Sequence, residues 1–263
     1  MLTPKQIAHV RCFGFLHVRG GFSANEIADM IAAAEQRWSD ELGRPLLHSD
    51  VLSMARFVEH DPLLIQLMLD ERIYEPARQL LGDDLVWSGS EGVHGYDLGN
   101  TAHHWHADRP GTRELGYSRL KFMLYLDPTR KETGAFRVIP GSHQSPLHEA
   151  LMSFQEAHTE AAPTFFGLNG ADIPCYALEA EPGDIVLFDH CLFHSVYHKT
   201  GRRRYIALKF TARPTQDWHL ASIKRFAPSA FKPEKILIGS KDERIRRMVT
   251  VEDLAERAQT LEH

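Results

Sequence analysis

At 263 residues, 43% of them hydrophobic and 25% charged, the chain has the make-up of a soluble globular protein able to bury a good-sized core, as one domain or two. Thirty basic against thirty-five acidic residues leave a formal charge of −5, which argues against nucleic acid or an anionic membrane as partner and leaves small molecules. Three scattered cysteines, Cys12, Cys175 and Cys191, exclude a disulfide framework or a Cys-x-x-Cys zinc site and read as reduced, buried residues. The N-terminus has no basic stretch followed by an apolar run, and no segment has the length of a membrane span, so a cytoplasmic location is expected.

In chain order, residues 12–19 are short and apolar and predict a first strand closed by Gly20-Gly21. Ser23 and Glu26 form a capping box, with Ile27, Met30, Ile31 and Ala34 at helical spacing behind it, predicting a helix to about Trp38. A polar connector containing Gly43-Arg44-Pro45 leads to Asp61-Pro62, a helix start with proline at the first position, and a further helix from about Glu71 should stop at Gly82. After Gly82 the texture becomes β-like: 86–87, 93–96, 120–126, 136–139, 185–188 and 205–210 are short runs between turn residues. The run 120–126 is nearly continuous in apolar residues, as in a strand buried on both faces. Strands following helices without β-α alternation predict an antiparallel jelly roll, mainly β with flanking helices. From Arg213 helical patterns return at 217–226, 241–248 and 252–261, and this tail either covers the barrel or pairs with a second copy in a homodimer. The expected layout is a single domain over 1–263, with a helical supporting part (1–84), a catalytic jelly roll (85–212) and a helical extension (213–263).

Within the β-like region, His106 and Asp108 stand two apart, a spacing that puts both on one face of a strand. Among sixteen histidines a His-x-Asp is a weak signal by itself. A later turn and strand, from Pro182-Gly183 to Phe188, lead to His194, which in a jelly roll can meet the first pair and complete a set of two histidines and one carboxylate. Such a set leaves one face of an octahedral ion open, as non-haem Fe(II) oxygenases require. Ten residues further on, Arg204 leads into the strand over 205–210, where a guanidinium could form a bidentate pair with a carboxylate deep in the barrel.

Three blocks, Trp105-His106-Ala107-Asp108, then Thr133 to His143 with its Pro-Gly-Ser-His turn, then Gly183 to Phe188 through His194 to Arg204, resemble the phytanoyl-CoA dioxygenase family. The opening Gly14-Phe15 strand and capped helix are similar too, so the likeness covers roughly residues 5–212. It implies a double-stranded β-helix, or cupin-like barrel. It also implies the cofactors Fe(II), 2-oxoglutarate and O₂, and hydroxylation of an unactivated C–H bond of a small molecule with release of succinate and CO₂. His106, Asp108 and His194 become the catalytic metal ligands and Arg204 the partner of the distal 2-oxoglutarate carboxylate. Family members commonly place that arginine eleven residues after the distal histidine. Here it stands at plus ten with Ser195 directly after His194, which keeps Arg203 and Arg202 as alternatives. Ser195, Thr133 and Lys121 are further cofactor-binding candidates. Lys121 interrupts an apolar strand and either snorkels to an edge or points at a carboxylate in the barrel. Asp108 favours hydroxylation over halogenation, since related halogenases have a small residue in its place.

Trp105, Tyr96, Arg109 and Arg137 lie beside the motifs as pocket candidates, and the cations Lys121, Arg109 and Arg137 point to an anionic substrate. His143 belongs to a turn, and His103, His104, His190 and His198 are read as neighbours of the site that do not ligate. The other readings open at this point are a zinc hydrolase using the same three ligands and a non-catalytic ligand-binding jelly roll.

Overall fold

Thr3 opens the chain's first helix, α1 (Pro4–Phe13). Its hydroxyl accepts from the Gln6 N–H while the Gln6 side chain accepts from the Thr3 N–H, with proline at the first helical position. Gly14, at φ 83°, ends it. The strand expected over 12–19 is therefore shorter, β1 (Phe15–Val18), because Cys12 and Phe13 close the last turn of α1. In this computed structural model, which describes residues 1–99, 101–160 and 164–260, the Ser23–Glu26 box starts α2 (Ala24–Leu42) as expected. That helix buries Ile27, Met30, Ala34 and Trp38 along one stripe. Leu52–Ala55 forms a strand, β2, that the sequence pattern did not announce. Asp61 caps the N–H groups of Leu63 and Leu64 as its sequence suggested, but the segment it opens is a short 3₁₀ turn, Leu64–Met68, in place of an α-helix. The next helix, α3 (Glu71–Leu81), stops at Gly82.

The β region adds β3 (Val86–Leu98), β4 (His103–His106), β5 (Arg119–Tyr125) and β6 (Phe136–Val138), then helices α4 (Leu147–Ala150) and α5 (Met152–Glu160). A two-stranded hairpin, β7 (Thr164–Phe165) and β8 (Leu168–Asn169), precedes β9 (Tyr176–Leu178), β10 (Ile185–Asp189), β11 (His194–Val196) and β12 (Thr200–Thr211). Two antiparallel sheets result: a larger one in the order β1-β10-β5-β12-β3-β2 and a smaller one in the order β4-β11-β6-β9. This is the expected jelly-roll architecture, with two facing sheets and helices packed outside.

The period-2 alternation of the central strands divides their residues between two cores. Leu120, Phe122 and Leu124 of β5, Ile185 and Leu187 of β10 and Ile206, Leu208 and Phe210 of β12 point outward, onto the stripe of α2 and onto Ile73 of α3. Met123, Tyr125, Val186, Phe188 and Ala207 point inward, against Phe136, Val138, Leu178 and Val196 of the smaller sheet. The continuous apolar run over 120–126 thus serves both faces of a central strand.

The tail folds back on its own chain. Helices α6 (Asp217–Phe226), α7 (Lys235–Ile238), α8 (Glu243–Val249) and α9 (Glu252–Thr260) come after β12. Leu220 and Ile223 of α6 and Leu254 and Ala258 of α9 pack with Val86 and Tyr117 at one end of the sandwich. Ile245, Met248 and Val249 of α8 join the core under the N-terminal helices. Position 261 of the last expected helix lies outside the described residues. Among the described residues no helix is long and apolar enough to cross a membrane.

Candidate metal centre and co-substrate pocket

His106 and His194 are cross-strand partners, paired directly in the β4–β11 ladder. Asp108 is not on the strand, as the i, i+2 reasoning supposed. β4 ends at His106, and the carboxylate comes from the bend beyond it. One oxygen of Asp108, Oδ1, lies 3.7 Å from the Nε2 of each histidine, and the three ligand atoms all fall within 4.8 Å of one another. Two donors on one ion with bonds of about 2.1 Å stand roughly 3 to 4 Å apart, so both pairs are within the reach of a single metal. Each histidine donates its Nδ1–H to the carbonyl two residues before it, His106 to His104 at 2.7 Å and His194 to Leu192 at 2.8 Å. Those bonds assign the tautomer, leaving the Nε2 lone pair for a metal.

Electrostatics keep the set in its ligating form. Burial works to raise the Asp108 carboxyl, but Lys121 foremost, followed by His194, His190 and His106, outweighs it and holds the group well below the usual carboxylate range. Burial, reinforced by His106, pushes His194 well below the ordinary imidazole value. At neutral pH the site therefore presents a carboxylate and a neutral imidazole at position 194. Lys121 Nζ sits 3.6 Å from Asp108 Oδ2, the oxygen turned away from the histidines, and 3.3 Å from Glu91. Lys209 holds Glu91 from its other side. Of the two orientations open for Lys121 from sequence, the structure has the one directed at a carboxylate inside the sandwich. Burial pulls its ammonium down, but Asp108 and Glu91 hold it above its ordinary value.

His106, Asp108 and His194 line a cavity of ≈ 70 Å³ whose walls also include Lys121, Phe136, Phe188, Ser195, Arg203 and Tyr205. Ser195 is fully buried and its Oγ has no hydrogen-bond partner among the described residues. Nε and Nη2 of Arg203 are likewise buried and unpartnered, with the guanidinium 4.8 Å from the Tyr205 ring centre and 5.8 Å from that of Tyr125. A cavity lined by three metal-donor side chains, a hydroxyl and a guanidinium has the donor chemistry for a metal together with a small dicarboxylate.

Arg204, the favoured candidate for that carboxylate, faces the other way. It shares strand parity with Ile206 and Leu208, so its side chain leaves the sandwich toward α2. There it forms a bidentate pair with Asp127 at 2.8 and 2.9 Å and reaches Glu35 at 2.6 Å. Arg202, the other alternative, also pairs with Asp127, at 3.3 Å. Arg203 shares parity with Tyr205 and Ala207 and is the one of the three that lines the cavity. Thr133 is also misplaced as a cofactor contact. It is exposed in a 3₁₀ turn, where its hydroxyl accepts from the Arg130 N–H.

Among the pocket candidates, Trp105 is core, donating to the Gly170 carbonyl, and Tyr96 packs against His48. Arg137 donates to the carbonyls of Ala171 and Lys131 and lines a separate cavity of ≈ 490 Å³ on the outer side of the smaller sheet. Arg109 is buried beside Glu114 and Tyr117. His143 bonds the Arg11 carbonyl as a turn residue. His103, read as a bystander, stacks on His106 with ring centres 4.4 Å apart and lines the cavity. Glu91 and Tyr205 were missed altogether. The inward parity of Tyr205 was readable from the strand pattern, but nothing in the sequence marks Glu91 as the partner of Lys121.

Comparison with known proteins agrees with this geometry. Ectoine dioxygenase from Sphingopyxis alaskensis is 23% identical over 271 residues, covering 89% of this chain and 87% of that protein. Among solved structures, HygX from Streptomyces hygroscopicus with nickel and 2-oxoglutarate is 18% identical with a TM-score of 0.64, covering 81% of this chain and 88% of the other. EctD from S. alaskensis with 2-oxoglutarate and 5-hydroxyectoine is 24% identical with a TM-score of 0.60, covering 80% and 76%. The 2-oxoglutarate-dependent epimerase SnoN from nogalamycin biosynthesis, 17% identical, shares the fold with a TM-score of 0.59 over 79% and 81%. The family model described as Phytanoyl-CoA dioxygenase (PhyH) matches residues 10–205, about three quarters of the sequence, and the chain therefore belongs to the phytanoyl-CoA dioxygenase family.

Proposed function

We propose that the protein is an Fe(II)- and 2-oxoglutarate-dependent hydroxylase of a small molecule, the whole chain acting as one catalytic unit. The observation that carries this reading is the shared cavity, lined by His106, Asp108 and His194 and by Arg203 and Ser195, whose Nε, Nη2 and Oγ have no hydrogen-bond partner among the described residues. In this reading the three ligands hold iron on one face. Arg203 and Ser195 bind the distal carboxylate of 2-oxoglutarate: Arg203 takes the role the sequence pattern gave to Arg204, and Ser195 keeps the one expected of it. Iron with 2-oxoglutarate and O₂ supplies oxidative decarboxylation of the co-substrate coupled to insertion of one oxygen atom into a C–H bond. The chain's own contribution is placement. Lys121 binds Asp108 Oδ2 and so turns Oδ1 toward the histidines, and Phe136 and Phe188 wall the cavity against water. The presence of a carboxylate at position 108 favours oxygen insertion over halogenation. Support for a hydroxylated small-molecule product comes from the relative named as an ectoine dioxygenase and from its solved form holding 5-hydroxyectoine.

The test is incubation of the Fe(II)-loaded protein with 2-oxoglutarate, O₂ and a metabolite panel. Succinate release and a product heavier by one oxygen are expected, both lost in Asp108→Ala and His194→Ala. A product of unchanged mass formed with succinate would replace hydroxylation by an epimerase-type outcome. Full activity in either variant would remove the metal assignment.

A further inference from the structure

The inward row of β5 continues past the metal centre. Lys121 stands beside Asp108, and Arg119, two residues earlier on the same face, lies about 7 Å further along the strand. Arg119 is fully buried, and none of its three guanidinium nitrogens has a hydrogen-bond partner among the described residues. Its surroundings do not neutralise it. The neighbouring carboxylate, Glu114, is engaged by Arg109 at 3.5 Å and by the Ser222 hydroxyl at 2.5 Å. The other groups facing Arg119 are the Tyr117 ring, 6.0 Å away, the Cys191 thiol and a second cation, Arg109. Burial and the Arg109 charge pull the guanidinium down to about 10, which still leaves it cationic at neutral pH.

The backbone ties this cluster to the metal centre. Arg109 comes directly after Asp108 and donates its N–H to the His190 carbonyl at 3.0 Å, and His190 donates its N–H to the Arg119 carbonyl at 3.1 Å. The His190 side chain is buried, and its Nε2 has no hydrogen-bond partner among the described residues. Arg203 and Arg119 therefore lie on opposite sides of Lys121 along the sandwich, since β12 runs antiparallel to β5 with Tyr205 opposite Tyr125 and Thr211 opposite Arg119. The co-substrate is assigned to the Arg203 side, and Arg119 stands at the other end of the same inward row.

A buried charge without a counter-charge is strongly destabilising, and a buried donor set without partners calls for an explanation such as a bound ion. We propose that Arg119, with His190 beside it, is the anchoring point for an oxyanion of the primary substrate, so that the enzyme acts on a small molecule carrying a carboxylate or phosphoryl group. This rests on the hydroxylase reading above and extends it to substrate class. Arg119 is a binding residue in this scheme; Arg109, held by Glu114 and by the Glu114 and Tyr117 carbonyls, positions the turn around it.

The experiment uses the full chain loaded anaerobically with Fe(II) and 2-oxoglutarate, so that the Arg203 side is filled. Assembly of that complex is monitored by its visible charge-transfer absorption, and thermal unfolding is then measured with sodium acetate or sodium phosphate against sodium chloride at equal ionic strength. In wild type, at least one oxyanion should raise Tm by several degrees over chloride; acetate alone points to a carboxylate and phosphate to a phosphoryl group. Arg119→Met should lose that shift while keeping the absorption band, and should itself melt higher than wild type in chloride because an unpaired buried charge has been removed. Arg119→Lys should retain part of the shift. Equal shifts in wild type and Arg119→Met, or no shift in wild type, would overturn the anion site, as would an Arg119→Met protein that melts lower in chloride. Absence of the absorption band in wild type would instead overturn the hydroxylase reading.

Discussion

Replacing Arg203 by alanine should weaken 2-oxoglutarate binding much more than replacing Arg204, although the two are adjacent in sequence. Arg203 lines the cavity and has two buried donors, Nε and Nη2, without a hydrogen-bond partner among the described residues. Charge-assisted hydrogen bonds contribute about 1.5–3 kcal/mol each, so loss of a two-pronged contact costs roughly 3 kcal/mol, or about 100- to 200-fold in dissociation constant. The affinity is measured by titrating 2-oxoglutarate into the anaerobic Fe(II) protein. Arg204 makes its own bidentate pair with Asp127 and a contact to Glu35 on the other face of the sheet. Removing it leaves Asp127 buried without its main counter-charge, and breaking such a pair typically costs ~3–5 kcal/mol of folding stability. Arg204→Ala should therefore unfold at lower denaturant yet bind 2-oxoglutarate within about threefold of wild type. If Arg204→Ala weakens 2-oxoglutarate as much as Arg203→Ala does, or if Arg203→Ala binds normally, the parity argument is wrong.

Two further predictions rest on neighbouring contacts. Lys121→Met leaves Asp108 Oδ2 without its cation at 3.6 Å, and losing such an outer contact typically lowers metal affinity about 10- to 100-fold; a chelator competition giving unchanged Fe(II) affinity would rule out an orienting role. Asp184, in the turn before β10, accepts from the N–H groups of Gly20 and Glu181 and pairs with His17 at 2.9 Å. Burial works to raise its carboxyl, but these partners outweigh burial and lower it below the ordinary value. The stabilisation is thus present above the unfolded carboxylate value and lost as pH falls through the folded one. Asp184→Asn should cost about 1–3 kcal/mol at neutral pH, with urea unfolding curves of variant and wild type converging in acid; an equal gap at both pH values would contradict the linkage.

The short-range features of this protein were written locally. Ser23 and Glu26 cap α2, Gly82 stops α3, and the apolar run over 120–126 marks a central strand, because each depends on hydrogen bonds or alternation within a few residues. His106, Asp108 and His194 were legible through spacing and family resemblance together. Three decisions belonged to tertiary structure. Asp108 reaches the two histidines from a bend, since β4 ends where its pairing with β11 does. Arg203 lines the cavity and Arg204 leaves it because strand parity is set by which face packs on α2. The apolar set Ile206, Leu208 and Phe210 shares Arg204's parity and was a clue in the sequence, but its meaning required knowing that the helical layer lies on that side. Arg119 and Glu91 became visible only in three dimensions. A buried charge is defined by the groups that do or do not meet it, and those come from strands and turns far apart in the chain.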